Sequence, residues 1–230
     1  LTFSGLANGL DGTVPTAETI NFGTATTVAF TNGASNALAA TLIAYKAEVA
    51  SLDVTDGTVN STGNIAYDLD LTVNAAAASK LKYSVNPPAS VASGATWAGF
   101  DVSIADAYGN ARGSGIDTIT LSEDGTGAFT GTTSKAAVNG LATFNDISYP
   151  VAHTINVTAS ATGLTSTSAF AVSVTAGAVS YLKVTAASGT VTAGGSLELA
   201  VTAYDSNNNV ATGYTGNKSL TISGLANGLD

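Results

Sequence analysis

The chain has 230 residues with no cysteine and no methionine, and only 10% of its residues are charged. A net charge of −9 with seven Lys and Arg in all argues against nucleic acid as a partner, because phosphate neutralisation needs basic side chains. The missing cysteine excludes disulfides, thiolate metal sites and a thiol nucleophile, and no apolar run reaches the roughly 18 residues of a membrane-spanning helix. Thr, Ser, Asn and Ala take the place of the absent charges. Thr suits a pleated surface, strong helix formers are scarce, and 25 Gly supply turns, so the composition is all-β.

The first element is also the last. Leu1–Asp11 returns as Leu220–Asp230 with ten of eleven residues identical, at an offset of 219. Phe3 stands where the second copy has Ile222, so these are two diverged copies of a tandem repeat. A second, weaker repeat lies inside that period. Ser79-Lys-Leu-Lys82 and Ser180-Tyr-Leu-Lys183 open similar stretches, each followed by an alternating strand, an Asp- and Asn-containing turn and another short strand. Two related domains per 219-residue period follow. Residues 79–178 make a complete domain, 179–230 the N-terminal half of the next, and 1–78 the C-terminal half of the one before. The expectation is a window cut from a longer covalent chain, since no Met stands at position 1 and residues 1–11 and 220–230 would compete for one slot if separate subunits joined. The alternative is a discrete subunit that polymerises by complementation, with one overlapping copy displaced.

In chain order, Ile65, Tyr67, Leu69, Leu71 and Val73 alternate with polar neighbours, which predicts a strand with one wet face. The complete domain carries seven predicted strands near 80–85, 96–105, 117–122, 127–130, 140–149, 153–160 and 167–175. Turn signals at Asn86-Pro-Pro, Tyr108-Gly-Asn, Asp124-Gly, Asn139-Gly and Thr162-Gly separate them. Seven short strands in about 100 residues predict an immunoglobulin-like antiparallel β-sandwich. On this alternation Phe100 points inward and Trp97 outward. An outward Trp is either covered by a neighbouring loop or an anchor between domains or subunits. Short linkers near 75–79 and 176–180 predict sandwiches packed end to end.

Little in the sequence suggests chemistry. His153, the sole histidine, opens a predicted strand with no nucleophile motif near it. Asp68 and Asp70 share a strand face without an aromatic groove beside them, which reads as a solvated surface rather than a glycosidase pair. Asp205, Asn207 and Asn209 have alternate-residue oxygen spacing, and Asp53, Asp56, Asp68 and Asp70 are expected near one domain end. Calcium is therefore the one small ligand worth weighing, against an Asx-rich turn, because the central Gly and bidentate Glu of a calcium loop are missing. Asn60, Asn156 and Asn217 begin glycosylation triplets. Alternation places Lys80, Lys82 and Lys183 outward, which disfavours an internal Lys–Asn cross-link.

Ala193–Gly216, Leu42–Gly57 and the turn Asp106-Ala-Tyr-Gly-Asn110 resemble the bacterial Ig-like repeats of very large surface proteins. The resemblance implies tandem sandwiches outside a prokaryotic cell, in adhesins, stalks, sheaths or filaments, with no catalytic residue and no cofactor. The expected partners are neighbouring repeats or further copies of the same chain. An adhesin segment gripping a glycan or host surface is the alternative.

Overall fold

The computed structural model describes residues 1–36, 40–63 and 66–224. Among these no helix forms, and none therefore is long and apolar enough to cross a membrane. The first 78 residues carry β1 (Thr2–Ser4), β2 (Thr16–Ala17), β3 (Ile20–Asn21), β4 (Phe30–Thr31), β5 (Ala34–Ser35), β6 (Leu42–Ile43), β7 (Glu48–Thr55) and β8 (Leu69–Val73). The central stretch carries β9 (Lys80–Val85), β10 (Ser90–Ala92), β11 (Phe100–Ala105), β12 (Thr118–Glu123), β13 (Ser134–Ala136), β14 (Leu141–Phe144), β15 (Thr154–Ser160) and β16 (Phe170–Thr175). A hairpin of β17 (Val179–Ala186) and β18 (Leu199–Asp205) follows.

Two sheets face each other in the central stretch. One runs β14-β11-β9 and the other β10-β16-β15-β12-β13. Period-two alternation sends Val102 and Ile104 from the first sheet, and Ile155, Val157, Ala159 and Val172 from the second, into one wholly buried core. The polar residues between them, Thr154 and Asn156 for example, stay exposed. The hydroxyl of Tyr83 on β9 donates to the Val157 carbonyl on β15 at 3.0 Å, tying one sheet to the other.

Loop chemistry sets the topology. Pro87 and Pro88 follow β9 and have no N–H for a ladder, so the strand breaks there. The chain then crosses to the other sheet, where β10 pairs parallel to β16, Ser90 opposite Ser173. Asn139 and Gly140 both take positive φ, 51° and 76°, the backbone of a tight two-residue hairpin turn that matches strand twist. Val138 and Leu141 close it with reciprocal hydrogen bonds of 2.8 and 3.1 Å.

Several sequence expectations need correction. β11 begins at Phe100, and residues 95–99 are irregular, so counting alternate residues back to Trp97 does not apply. Trp97 lies inside the core, 5.4 Å edge-on to Phe129 and 6.3 Å from Phe100, and its backbone N–H donates to Ile147. It is buried by its own sandwich and is not an outward anchor. The stretch 127–130 supplies only an isolated bridge, Thr130 to Ser148, while β10 and β13 form where no strand was expected. Downstream of Gly63 the strand starts at Leu69, later than alternation suggested: Tyr67 is exposed in a turn, and Ile65 lies outside the described residues.

The flanking stretches repeat pieces of this sandwich. β1-β7-β8 has the order and antiparallel pairing of β12-β15-β16, with Phe3 opposite Val54 as Leu121 is opposite Ala159. The β17–β18 hairpin reproduces β9–β11, with Val184 opposite Val201 as Tyr83 is opposite Val102.

Candidate functional site: two matching junctions

The buried charged side chains identify the site. Asp106 and Asp205 are each 1% exposed, at the ends of β11 and β18. A carboxylate out of water must be satisfied by donors. The Asp106 carboxylate accepts from the backbone N–H groups of Tyr108 (3.0 Å), Asn110 (2.9 Å) and Ala76 (2.9 Å), and from Asn110 Nδ2 (2.8 Å). Ala76 belongs to the stretch joining β8 to β9. The same Asn110 amide then reaches backwards. Its Nδ2 donates to the Tyr45 carbonyl at 2.8 Å, and its Oδ1 accepts from Ala47 N–H at 2.9 Å. Tyr45 and Ala47 precede β7, and the Tyr45 ring meets Tyr108 edge-on at 4.8 Å.

The second junction follows the same hydrogen-bond plan about 100 residues on, with the Ser93 hydroxyl as an added donor. Asp205 accepts from the N–H groups of Asn207 (2.9 Å), Asn209 (2.8 Å) and Gly177 (2.8 Å), from Asn209 Nδ2, and from the Ser93 hydroxyl. Gly177 lies between β16 and β17. Asn209 Nδ2 donates to the Pro150 carbonyl at 2.8 Å and Asn209 Oδ1 accepts from Ala152 N–H at 2.8 Å, just before β15. Each junction thus joins three pieces through one Asp-x-x-x-Asn turn: the loop before β7 or β15, the linker before β9 or β17, and the turn after β11 or β18.

The turn itself explains its residue types. Gly109 takes φ of 89° and Asn208, its counterpart, 67°, a left-handed position that Gly and Asn tolerate best. The Asp side chain caps the turn's N–H groups, and the Asn fourth in line supplies both a donor and an acceptor to a second backbone. Burial pushes the Asp106 carboxyl up. The donors from Asn110, Ala76 and Tyr108 outweigh it and hold the group below the ordinary carboxylate value. In Asp205 the same contest between burial and donors, led by Ser93 and Asn209, ends further down, well below the usual range.

The oxygens of Asp205 and Asn209 are engaged by hydrogen bonds within the junction, in the manner of the Asx-rich turn weighed in sequence. A calcium site converges oxygens on a central point. Here the Asp205 oxygens point at N–H and O–H donors, and Asn209 gives its amide oxygen to Ala152. Asn207 lies against Gly94, where an added Cβ would come within 2.4 Å of its Nδ2. Among the described residues no group of three or more His, Cys, Asp or Glu could hold a metal.

Of the other candidates, Asp68 lies close to Asp53 and Asp70. Asp70 accepts from Ser51 Oγ at 2.7 Å, while Asp53 accepts from Ser61 Oγ at 3.3 Å. Asp56 caps its own turn at Thr58 and Val59. Burial and the neighbouring Asp53 carboxylate raise the Asp68 carboxyl. His153 directly precedes β15 and packs edge-on against Tyr149 at 5.7 Å. The ammonium groups of Lys80 and Lys82 donate to the Ala107 and Gly109 carbonyls at 2.7 and 2.8 Å, bracing the first junction turn. Asn156 binds Asp124 through both its backbone and its side-chain amide. Beside the first junction runs an open groove of about 530 Å³, with Leu10, Lys80, Lys82, Asn86, Tyr108 and Thr165 in its walls.

No protein-family model matches the sequence, and no curated protein matches it. Solved structures give loose likenesses. The Escherichia coli adhesin FdeC is 20% identical with a TM-score of 0.41, over 93% of this chain and 64% of that one. Domains 4–9 of the surface layer protein SbsC are 19% identical with a TM-score of 0.33, over 75% of this chain and 26% of that one. A glycosyl hydrolase family 2 member from Bacteroides cellulosilyticus is 14% identical with a TM-score of 0.39, over 63% of this chain and 21% of that one. The chain thus spans less than two thirds of each of these proteins.

Proposed function

We propose that this chain is a structural repeat of an extracellular filament, sheath or stalk on a prokaryotic cell, built from tandem Ig-like sandwiches and without catalytic activity. One observation carries the reading: the same Asp-x-x-x-Asn clasp occurs at both junctions, with corresponding partners. A flexible linker would leave neighbouring units free to swing. Here each linker is pinned by a buried carboxylate, and each following unit grips a loop of the preceding one. Successive units are then held at one fixed angle, and stability adds along the array as a sum over units and interfaces. A period of 219 residues repeated through such junctions makes length and stiffness. Low charge, acidity and the absence of cysteine suit a protein that works outside the cell without disulfides.

The test is electron microscopy of a recombinant array of several tandem copies. Straight, unbranched rods with a constant axial spacing are expected. Beads joined at random angles would contradict the reading.

A second reading, an adhesive segment, rests on the groove beside the first junction, where Tyr108, Asn86 and two Lys side chains could meet a glycan. Reproducible binding of the purified chain on a glycan array, abolished by Tyr108→Ala, would favour it.

A further inference from the structure

Ser93 brings a fourth piece to the second junction. The turn after β10 is fixed to the body of the complete sandwich: Ser93 N–H donates to the Thr175 carbonyl at 2.7 Å and Gly94 N–H to the Tyr149 carbonyl at 2.8 Å. From that anchored turn the buried Ser93 hydroxyl donates to Asp205 Oδ2, the oxygen that also accepts from Gly177 N–H in the linker. Gly94, with φ of 72°, lies against Asn207 so closely that a Cβ would come within 2.4 Å of its Nδ2. One carboxylate thus ties the sandwich, the linker and the turn of the next unit together. Hydrogen bonds to an ionised oxygen are stronger than those between neutral groups.

The same turn recurs between β17 and β18 with a different side chain. Gly194 takes φ of 80°, as Gly94 takes 72°. Gly195 N–H donates to the Thr192 carbonyl at 2.8 Å, as Ala95 N–H donates to the Ala92 carbonyl at 3.1 Å. The position of Ser93 therefore belongs to Ala193, which has no hydroxyl to donate.

We infer that the array alternates two classes of joint: a tight one, where the Ser93 hydroxyl locks Asp205, and a weaker one, where Ala193 of the preceding copy faces Asp106. This rests on the structural-repeat reading and adds where the array gives way. The Asp106 carboxylate keeps its donors from Ala76, Tyr108 and Asn110, so the weaker joint still closes. It lacks only the bond that fastens the carboxylate to the preceding sandwich through a side chain. Under load the Ala193 joint opens first and the Ser93 joint holds. The weak joint recurs once per 219 residues, so the array lengthens at every second junction while the sandwiches stay folded.

Amide hydrogen exchange at neutral pH tests this in two constructs. In the intact chain, Ser93→Ala should lower protection of the Gly177 and Ala152 amides about tenfold or more, the effect of losing a hydrogen bond to a charged group. The Ala159 amide, bonded to Thr167 inside the sandwich, should be unchanged and so reports that the fold is intact. In a tandem of two periods, the Ala76 amide of the second copy should exchange faster than either Gly177 amide. Ala193→Ser in the first copy should then slow Ala76 of the second by a similar factor. Equal protection at the two joints of the unmodified tandem overturns the inference, as does a Ser93→Ala chain with unchanged exchange at Gly177. Straight rods with equal joints would leave the structural-repeat reading standing, whereas beads at random angles would sink that reading whatever the two joints show.

Discussion

Asp205 and Asn209 look in sequence like ligands spaced for a metal, and in the fold they are a fastening. Residue types alone could not decide this, because the same oxygens cap turns, bind cations or hold a second backbone. What decides is that the partners, the N–H groups of Gly177 and Ala152 and the carbonyl of Pro150, are distant in sequence, and only the fold brings them to the turn. One signal was available earlier. Asp106-x-x-x-Asn110 and Asp205-x-x-x-Asn209 occupy the same place in the internal repeat, which pointed to a shared structural task. Replacing Asn110 or Asn209 by Ala should unpair a backbone carbonyl and an N–H at the junction, at about 1–3 kcal/mol for each buried group left unsatisfied. Hydrogen exchange checks it: the Ala47 amide in the first variant and the Ala152 amide in the second should lose protection. Both junction carboxyls have folded values below the ordinary carboxylate value of about 3.9. Their contribution is thus fully present above that value and is lost as pH falls through the lower folded values. A titration followed by amide shifts at Ala76 and Gly177 should show intact junctions at pH 5 and opening only in stronger acid. Asp68 has the opposite sign. Its raised folded value means the fold favours the protonated form, so Asp68→Asn should raise the melting temperature at pH 7 and leave it unchanged near pH 3.

At the scale of elements, alternation read the central strands well wherever a strand was regular. β9, β12, β15 and β16 lie close to their expected places because apolar and polar residues alternate without interruption. It failed at Trp97, where five irregular residues precede β11 and parity carries no information. Trp97→Ala should cost about 3–5 kcal/mol in urea denaturation, as for a buried aromatic, whereas an exposed Trp would cost within about 0.5 kcal/mol. β10 and β13 were missed because three-residue strands leave too short a pattern, and their pairing is fixed by neighbours. The Asn139-Gly140 turn was legible because only a few residue types accept positive φ at both positions. An Ala Cβ at Gly140 would also sit 2.0 Å from the Arg112 carbonyl oxygen. Gly140→Ala should therefore lower the denaturation midpoint by more than the ~1 kcal/mol expected for φ alone.

The proposed array rests on repetition. The 219-residue offset was visible in the sequence, whereas the clasp needed coordinates because its two sides lie 30 to 65 residues apart. The central claim is that these clasps make consecutive units one rigid body. Residual dipolar couplings of the intact chain in a weakly aligning medium test this most directly. Couplings from β7–β8, from the central sandwich and from β17–β18 should fit a single alignment tensor, and Asp106→Ala should separate the first set from the rest. Three independent tensors in the unmodified chain would contradict the account.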